Sequence, residues 1–185
     1  MRIVGGRLRG RALVAPKSQA IRPTADRLRE ALFNILVHAY GDPVGGARVL
    51  DLFAGTGALG LEALSRGAAF ALFVDDGAEA RALLRENVAA LGLGGVSRVF
   101  RRNAVKLGAA HPLPPFSLAF LDPPYGRSLG EAALASARAG GWLTPGALAV
   151  VEEAASAAFA APEGFDETER RRYDDTMLIL LRHRG

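Results

Sequence analysis

Residues 48–66 read RVLDLFAGTGALGLEALSR. The run RVLDLF predicts a strand, and Ala58–Arg66 predicts a helix. Between them Gly55, Gly57 and Gly60 fall at G-x-G-x-x-G spacing. A strand, a glycine turn and a helix in that order let a ligand come close to backbone N–H groups at a helix N-terminus. The same alternation continues downstream. AFALFVD reads as a strand, 78–91 as a helix, SRVFR and SLAFLD as strands, 129–139 as a helix and ALAVVEE as a strand. Alternating β and α predicts an α/β fold with a parallel, doubly wound sheet. ETERRRYDD and TMLILLRH predict two further strands meeting near Asp174–Asp175, an antiparallel pair added at the C-terminal end. Residues 153–164, EAASAAFAAPEG, form either a short helix or a loop.

Upstream, residues 24–40 predict a helix. Pro23 disfavours helix at the residue before it. Thr24 can cap the N-terminus, and Asp26 suits the positive end of the helix dipole. Leu28, Ala31, Leu32, Ile35, Leu36 and Ala39 share one face, and Gly41 and Pro43 end the helix. Residues 1–23 hold two β-prone runs, RIVGG and GRALVA, around GRLRG, which suits a hairpin or extended arm. The chain is therefore read as one domain over 1–185: a basic N-terminal arm or hairpin (1–23), a helix (24–40) and a Rossmann-like core (47–185).

Composition narrows the classes. The 185 residues are half hydrophobic, enough for one core. There is no cysteine, so neither a disulfide nor a thiolate metal site can form. His38, His111 and His183 are scattered, which argues against a metal centre. No apolar run approaches the roughly 18–20 residues of a membrane span, and the basic N-terminus is no secretory signal. A soluble, cytoplasmic monomer is the expectation. Six cations precede the first acid, Asp26, so the remainder is net −2 against a total of +4. Basicity gathered at one end suggests contact with a polyanion there. Arginine outnumbers lysine 21 to 2 and alanine is abundant. A GC-rich coding sequence would produce both, so the arginine bias alone does not indicate RNA binding.

The acids around the glycine turn point to a ligand. Asp75 ends the second strand, 20 residues after Gly55, where a carboxylate accepts from both ribose hydroxyls of a nucleoside. Asp51 lies on the first strand just before the turn. It would repel a pyrophosphate and suits an ammonium or sulfonium cation. S-adenosylmethionine carries adenosine, both cations and no phosphate, and matches this layout better than a nicotinamide dinucleotide. Asn103, after the third strand, stands where a side chain could reach adenine.

Residues 118–126, LAFLDPPYG, end the fourth strand and face the same crevice. Proline lacks an N–H, so Asp122, Pro123 and Pro124 present acceptors without competing donors. That set suits an exocyclic –NH2, and Tyr125 offers a flat face for a base, worth about 1–3 kcal/mol of stacking. An aromatic amine is a poor nucleophile because its lone pair is delocalised. Acceptors that hold both hydrogens orient the nitrogen, and no strong base is needed.

Taken together, MRIVGGRLRGRAL, RPTADRLREALFNIL, VLDLFAGTGALGLEALSRGA, FVD, FLDPPY and YDDTMLILL make the chain resemble the RsmD-type 16S rRNA guanine-N2 methyltransferases over almost its whole length. The resemblance implies a Rossmann-like S-adenosylmethionine-dependent methyltransferase fold acting on a guanine amine of small-subunit ribosomal RNA, within an assembling particle. It implies cofactor residues at Asp51, Phe53, Gly55, Gly57, Asp75, Asn103 and Ala104. Asp122, Pro123, Pro124 and Tyr125 would form the amine site, and Arg7, Arg9, Arg11, Arg22 and Arg27 would meet RNA. Two positions depart from the family's pattern: Asn103 stands where an acid is usual, and Asp174 follows Tyr173 where glycine is usual. The residues leave three alternatives open: another amine such as adenine N6 in DNA or RNA, a nicotinamide-dependent oxidoreductase, and a silent RNA-binding module.

Overall fold

The computed structural model describes residues 1–17 and 24–185. One seven-stranded sheet runs through it, in the order β3-β2-β1-β4-β5-β7-β6. The strands are β1 (Arg48–Leu52), β2 (Phe70–Val74), β3 (Ser97–Phe100), β4 (Phe116–Leu121), β5 (Leu143–Ala154), β6 (Phe165–Tyr173) and β7 (Thr176–His183). β1 to β5 are parallel. β7 is antiparallel to both β5 and β6, so the C-terminal hairpin inserts its last strand inside the sheet and leaves β6 as the edge. That edge carries the ion pairs Arg170–Glu167 and Arg171–Glu169. Charge on an exposed edge discourages pairing with a second chain.

The strands alternate between two apolar layers. Val49, Phe73 and Phe120 face helices α1 (Asp26–Ala39), α2 (Ala58–Ser65) and α3 (Ala78–Ala90). Leu50, Leu72 and Leu121 face α4 (Leu129–Ala139) and Trp142. Burial on both faces explains why these strands read as nearly unbroken hydrophobic runs. Strand order reverses between β1 and β4, and ligands in open α/β sheets lie beyond the strand C-termini at such a point.

Several local expectations are revised. α1 begins at Asp26, two residues later than expected, and its N-cap Ala25 provides no side-chain cap; Thr24 is used elsewhere. The buried stripe is turned toward Arg29, Leu32, Phe33 and Leu36, while Ala39 is exposed. Arg29 can be fully buried because it finds acceptors: Thr24 O at 3.2 Å, Asp26 Oδ1 at 2.8 Å, Glu62 Oε2 at 3.3 Å, and the Arg2 carbonyl. β5 starts at Leu143, earlier than expected, and its pairing with β4 shifts register between Leu143 and Leu148, opposite Phe116–Leu118. Residues 155–164 form a loop, with Phe159 buried beneath it. Asp174 takes the left-handed φ of 51° at the β6–β7 turn, a conformation that aspartate tolerates better than most side chains.

The N-terminal segment is a hairpin closed by one antiparallel bridge, Arg2 to Ala12. It is docked, not free. Ile3 and Leu13 are buried in the main core, which together is worth about 3–6 kcal/mol of transfer free energy. Its backbone is read by α2: Val4 N–H donates to Glu62 Oε2 (2.9 Å), and Arg7 N–H to Ser65 O (2.9 Å). Gly6 has φ 75°, and a Cβ there would lie 2.1 Å from the Ser65 carbonyl oxygen, so the turn can lie flat on the helix only as glycine. No helix among the described residues is long and apolar enough to cross a membrane.

Candidate functional site

A cavity of about 710 Å³ opens at the strand C-termini around β1 and β4, within the usual range for small-molecule sites. Its walls are the turn after β1 (Phe53 to Thr56), the loop after β2 (Asp75 to Ala80), the corner after β4 (Asp122 to Tyr125) and Thr24. The glycine turn and the proline corner therefore share one cavity.

The turn is built by backbone conformations that few side chains accept. Phe53 (φ 55°), Gly55 (φ 58°) and Gly57 (φ 82°) are all left-handed. Gly57 is the N-cap of α2, and a Cβ on it would come within 2.2 Å of Leu84 Cδ1 on α3. Asp75 staples the two loops together: Oδ2 accepts from Gly55 N–H (2.9 Å) and Oδ1 from Gly77 N–H (2.8 Å).

Asp51 sits at the floor, only 1% exposed, and accepts from Gly60 N–H at 2.9 Å. Burial drives its pKa well above the ordinary carboxylate range; the Gly60 N–H opposes this, and the neighbouring Asp75 charge adds to it. Asp51, Asp75, Asp76, Glu79 and Asp122 all line the cavity, and among the described lining residues there is no Lys, Arg or His. The described part of the lining is thus rich in acids. It attracts a cationic ligand and repels phosphates.

At the corner, the Thr24 hydroxyl donates to Asp122 Oδ2 at 3.0 Å. Tyr125 is fixed through its hydroxyl, which donates to Glu152 Oε1 at 2.5 Å and lies 3.2 Å from Thr176 Oγ1. Burial, followed by the Glu152 charge, pushes the pKa of that hydroxyl up. It stays protonated and keeps the ring anchored. Glu153 accepts from Gly126 N–H at 2.9 Å, which closes the turn onto β5.

Of the residues expected from the sequence, Asp51, Phe53, Gly55, Asp75, Asp122, Pro123, Pro124 and Tyr125 line the cavity, while Gly57 shapes it from behind. Asn103 and Ala104 do not line it. Asn103 is exposed and caps a short 3₁₀ turn by accepting from Val105 N–H (3.0 Å), and Ala104 is buried in the core. Arg7, Arg9, Arg11 and Arg27 are exposed, and none lines the cavity. The hairpin tip bearing Arg7 and Arg9 rests on Ser65, the far end of α2, one helix length of about 12 Å from the glycine turn. Arg11 Nη2 donates to Ala90 O at 2.7 Å, the last carbonyl region of α3. Arg22 lies outside the described residues. Sequence reading missed Thr24, which it assigned to a cap, together with Asp76, Glu79 and Glu152. The pair of acids ending ALAVVEE was a usable signal for Glu152; nothing local pointed to Thr24.

The family model described as Conserved hypothetical protein 95 matches residues 1–182. The chain is similar to Ribosomal RNA small subunit methyltransferase D of Escherichia coli K12, 43% identical over 152 residues, covering 82% of this chain and 74% of that one. It is 34% identical to the protein of the same name in Haemophilus influenzae, over 89% of this chain and 84% of that one. A solved structure from Escherichia coli superposes with a TM-score of 0.83 at 35% identity, over 100% of this chain and 98% of that one.

Proposed function

The chain belongs to the Conserved hypothetical protein 95 family, the RsmD-type rRNA methyltransferases, and from that membership we propose that it methylates a guanine exocyclic N2 amine of small-subunit (16S) ribosomal RNA with S-adenosylmethionine. The observation that carries this reading is the shared cavity: the glycine turn and the Asp122–Tyr125 corner line one acid-rich space. Its acids suit a sulfonium and an α-ammonium group. The same lining disfavours a nicotinamide dinucleotide, whose pyrophosphate would face Asp51 and Asp75.

When bound, S-adenosylmethionine would supply an electrophilic methyl group, its methyl–sulfur bond breaking to leave a neutral thioether as the carbon–nitrogen bond forms. Asp51 takes the ligand's cationic end, and Asp75 holds the ribose while still accepting from Gly55 and Gly77. Asp122 and the Pro123 carbonyl accept the two amine hydrogens and aim the nitrogen at the methyl carbon. Positive charge grows on the nitrogen during transfer, and the Asp122 carboxylate stabilises it. The surplus proton then leaves against that same carboxylate. Tyr125, held by Glu152, stacks on the base. The guanine must be unpaired or flipped out to reach the corner. Arg7, Arg9, Arg11 and Arg27 contact RNA outside the cavity, Arg22 contacts RNA as well, and the substrate is the RNA in an assembling small-subunit particle, met by one copy of the chain.

The test is Asp122→Ala, assayed with naked 16S rRNA, small-subunit particles and duplex DNA. Methyl transfer should fall by about 10²–10³-fold, as on removing one catalytic electrostatic contact, with S-adenosylmethionine affinity retained. Wild-type turnover in the variant, or methylation of adenine in DNA instead of guanine in RNA, would refute the assignment.

A further inference from the structure

We propose that Thr24 is a positioning residue for the methyl-transfer step: its hydroxyl sets the orientation of the Asp122 carboxylate, and Arg29 holds Thr24 in place. The inference rests on the reading of Asp122 as the amine acceptor. Asp122 stands on a loop just beyond β4 and is partly exposed. A carboxylate there needs outside support to hold one orientation, because a site is only as well ordered as the groups behind it. Thr24 contributes to that support from a distant part of the chain. It lines the cavity, is only 7% exposed, and donates to Asp122 Oδ2 at 3.0 Å.

Thr24 is itself immobilised from behind. Its carbonyl accepts from Arg29 Nη1 at 3.2 Å. Arg29 is fully buried and paired with Glu62, which is fully buried as well. Glu62 also accepts from Val4 N–H of the hairpin and from Arg66 Nε (2.8 Å). The guanidinium charge of Arg29 is thus neutralised by Asp26 and Glu62, and what Thr24 itself contributes to Asp122 is a fixed hydroxyl dipole. The N-cap position of α1 is held by Ala25, whose side chain has no acceptor, so no side-chain cap is made there.

The role is tested with Thr24→Val, which keeps the shape and removes the donor, and Thr24→Ser, which restores it. Steady-state kinetics on small-subunit particles, calorimetry with S-adenosylmethionine and thermal melting are measured for both, beside Asp122→Ala. A hydrogen bond to a charged group predicts a loss of kcat of about 10- to 100-fold in Thr24→Val, with KM for the particle, cofactor affinity and Tm nearly unchanged. Thr24→Ser should recover most of that loss. Wild-type kcat in Thr24→Val overturns the proposal. So does a parallel fall of kcat, cofactor affinity and Tm in both variants, which marks a packing role. If Asp122→Ala turns over normally, the amine-site reading fails instead, a result distinct from either.

Discussion

Asp51→Asn should make the protein more stable and its function worse. The carboxyl is nearly sealed from water, has one backbone donor in Gly60, and faces Asp75 across the same cavity. Burial favours the protonated form in the folded state, so the folded pKa lies above the unfolded one. The folded chain then binds more protons than the unfolded chain between those two values. Stability from this group is complete below the ordinary carboxylate value and is lost as pH rises through the folded pKa. Asparagine keeps the Gly60 bond and removes the charge. At neutral pH the gain should be about 1–2 kcal/mol, as for other substitutions that relieve a functional site. For a chain of this length that raises Tm by about 2–8 °C. The gain should shrink toward acid pH. Binding of S-adenosylmethionine should weaken by about 10- to 150-fold, the worth of a charged hydrogen bond. Melting scans from about pH 4 to pH 9, together with calorimetry in two buffers of different ionisation enthalpy, read both effects. Below the folded pKa of Asp51, wild-type binding should release a proton as the cation draws the carboxyl into its ionised form, and the variant should not. A lower Tm at neutral pH, or unaltered affinity, would refute the electrostatic reasoning.

Two further outcomes follow from the geometry. Gly57→Ala puts a side chain into a left-handed position and 2.2 Å from Leu84 Cδ1; it should cost about 2–4 kcal/mol in denaturant unfolding and weaken cofactor binding in calorimetry. Arg7→Ala with Arg9→Ala should flatten the log–log salt dependence of 16S rRNA binding by about 1.4–1.8, the release of two counterions, while Tm holds, since neither side chain is buried; an unchanged slope would mean that the hairpin tip does not touch RNA.

The amino-acid sequence alone determined the alternation of strands and helices, the glycine turn and the acid-proline corner. Each is a local property: β-prone runs buried on both faces are hydrophobic throughout, left-handed turns need glycine, and Pro-Pro stops a strand wherever it stands. The antiparallel hairpin at the end was legible for the same reason, in two β-rich runs separated by Asp174–Asp175. What only the tertiary structure decided were the pairings between residues far apart in the chain. Thr24 looks like a helix cap from its neighbours and turns to Asp122 98 positions away. Arg29 looks like a solvated helix residue and is buried against Glu62, 33 positions on. Asn103 looks poised for a ligand, and its Oδ1 accepts from Val105 N–H. A side chain's hydrogen-bond partner is set by which elements the sheet brings together, and a polar residue's type does not reveal whether that partner is a neighbour, a distant carboxylate or water.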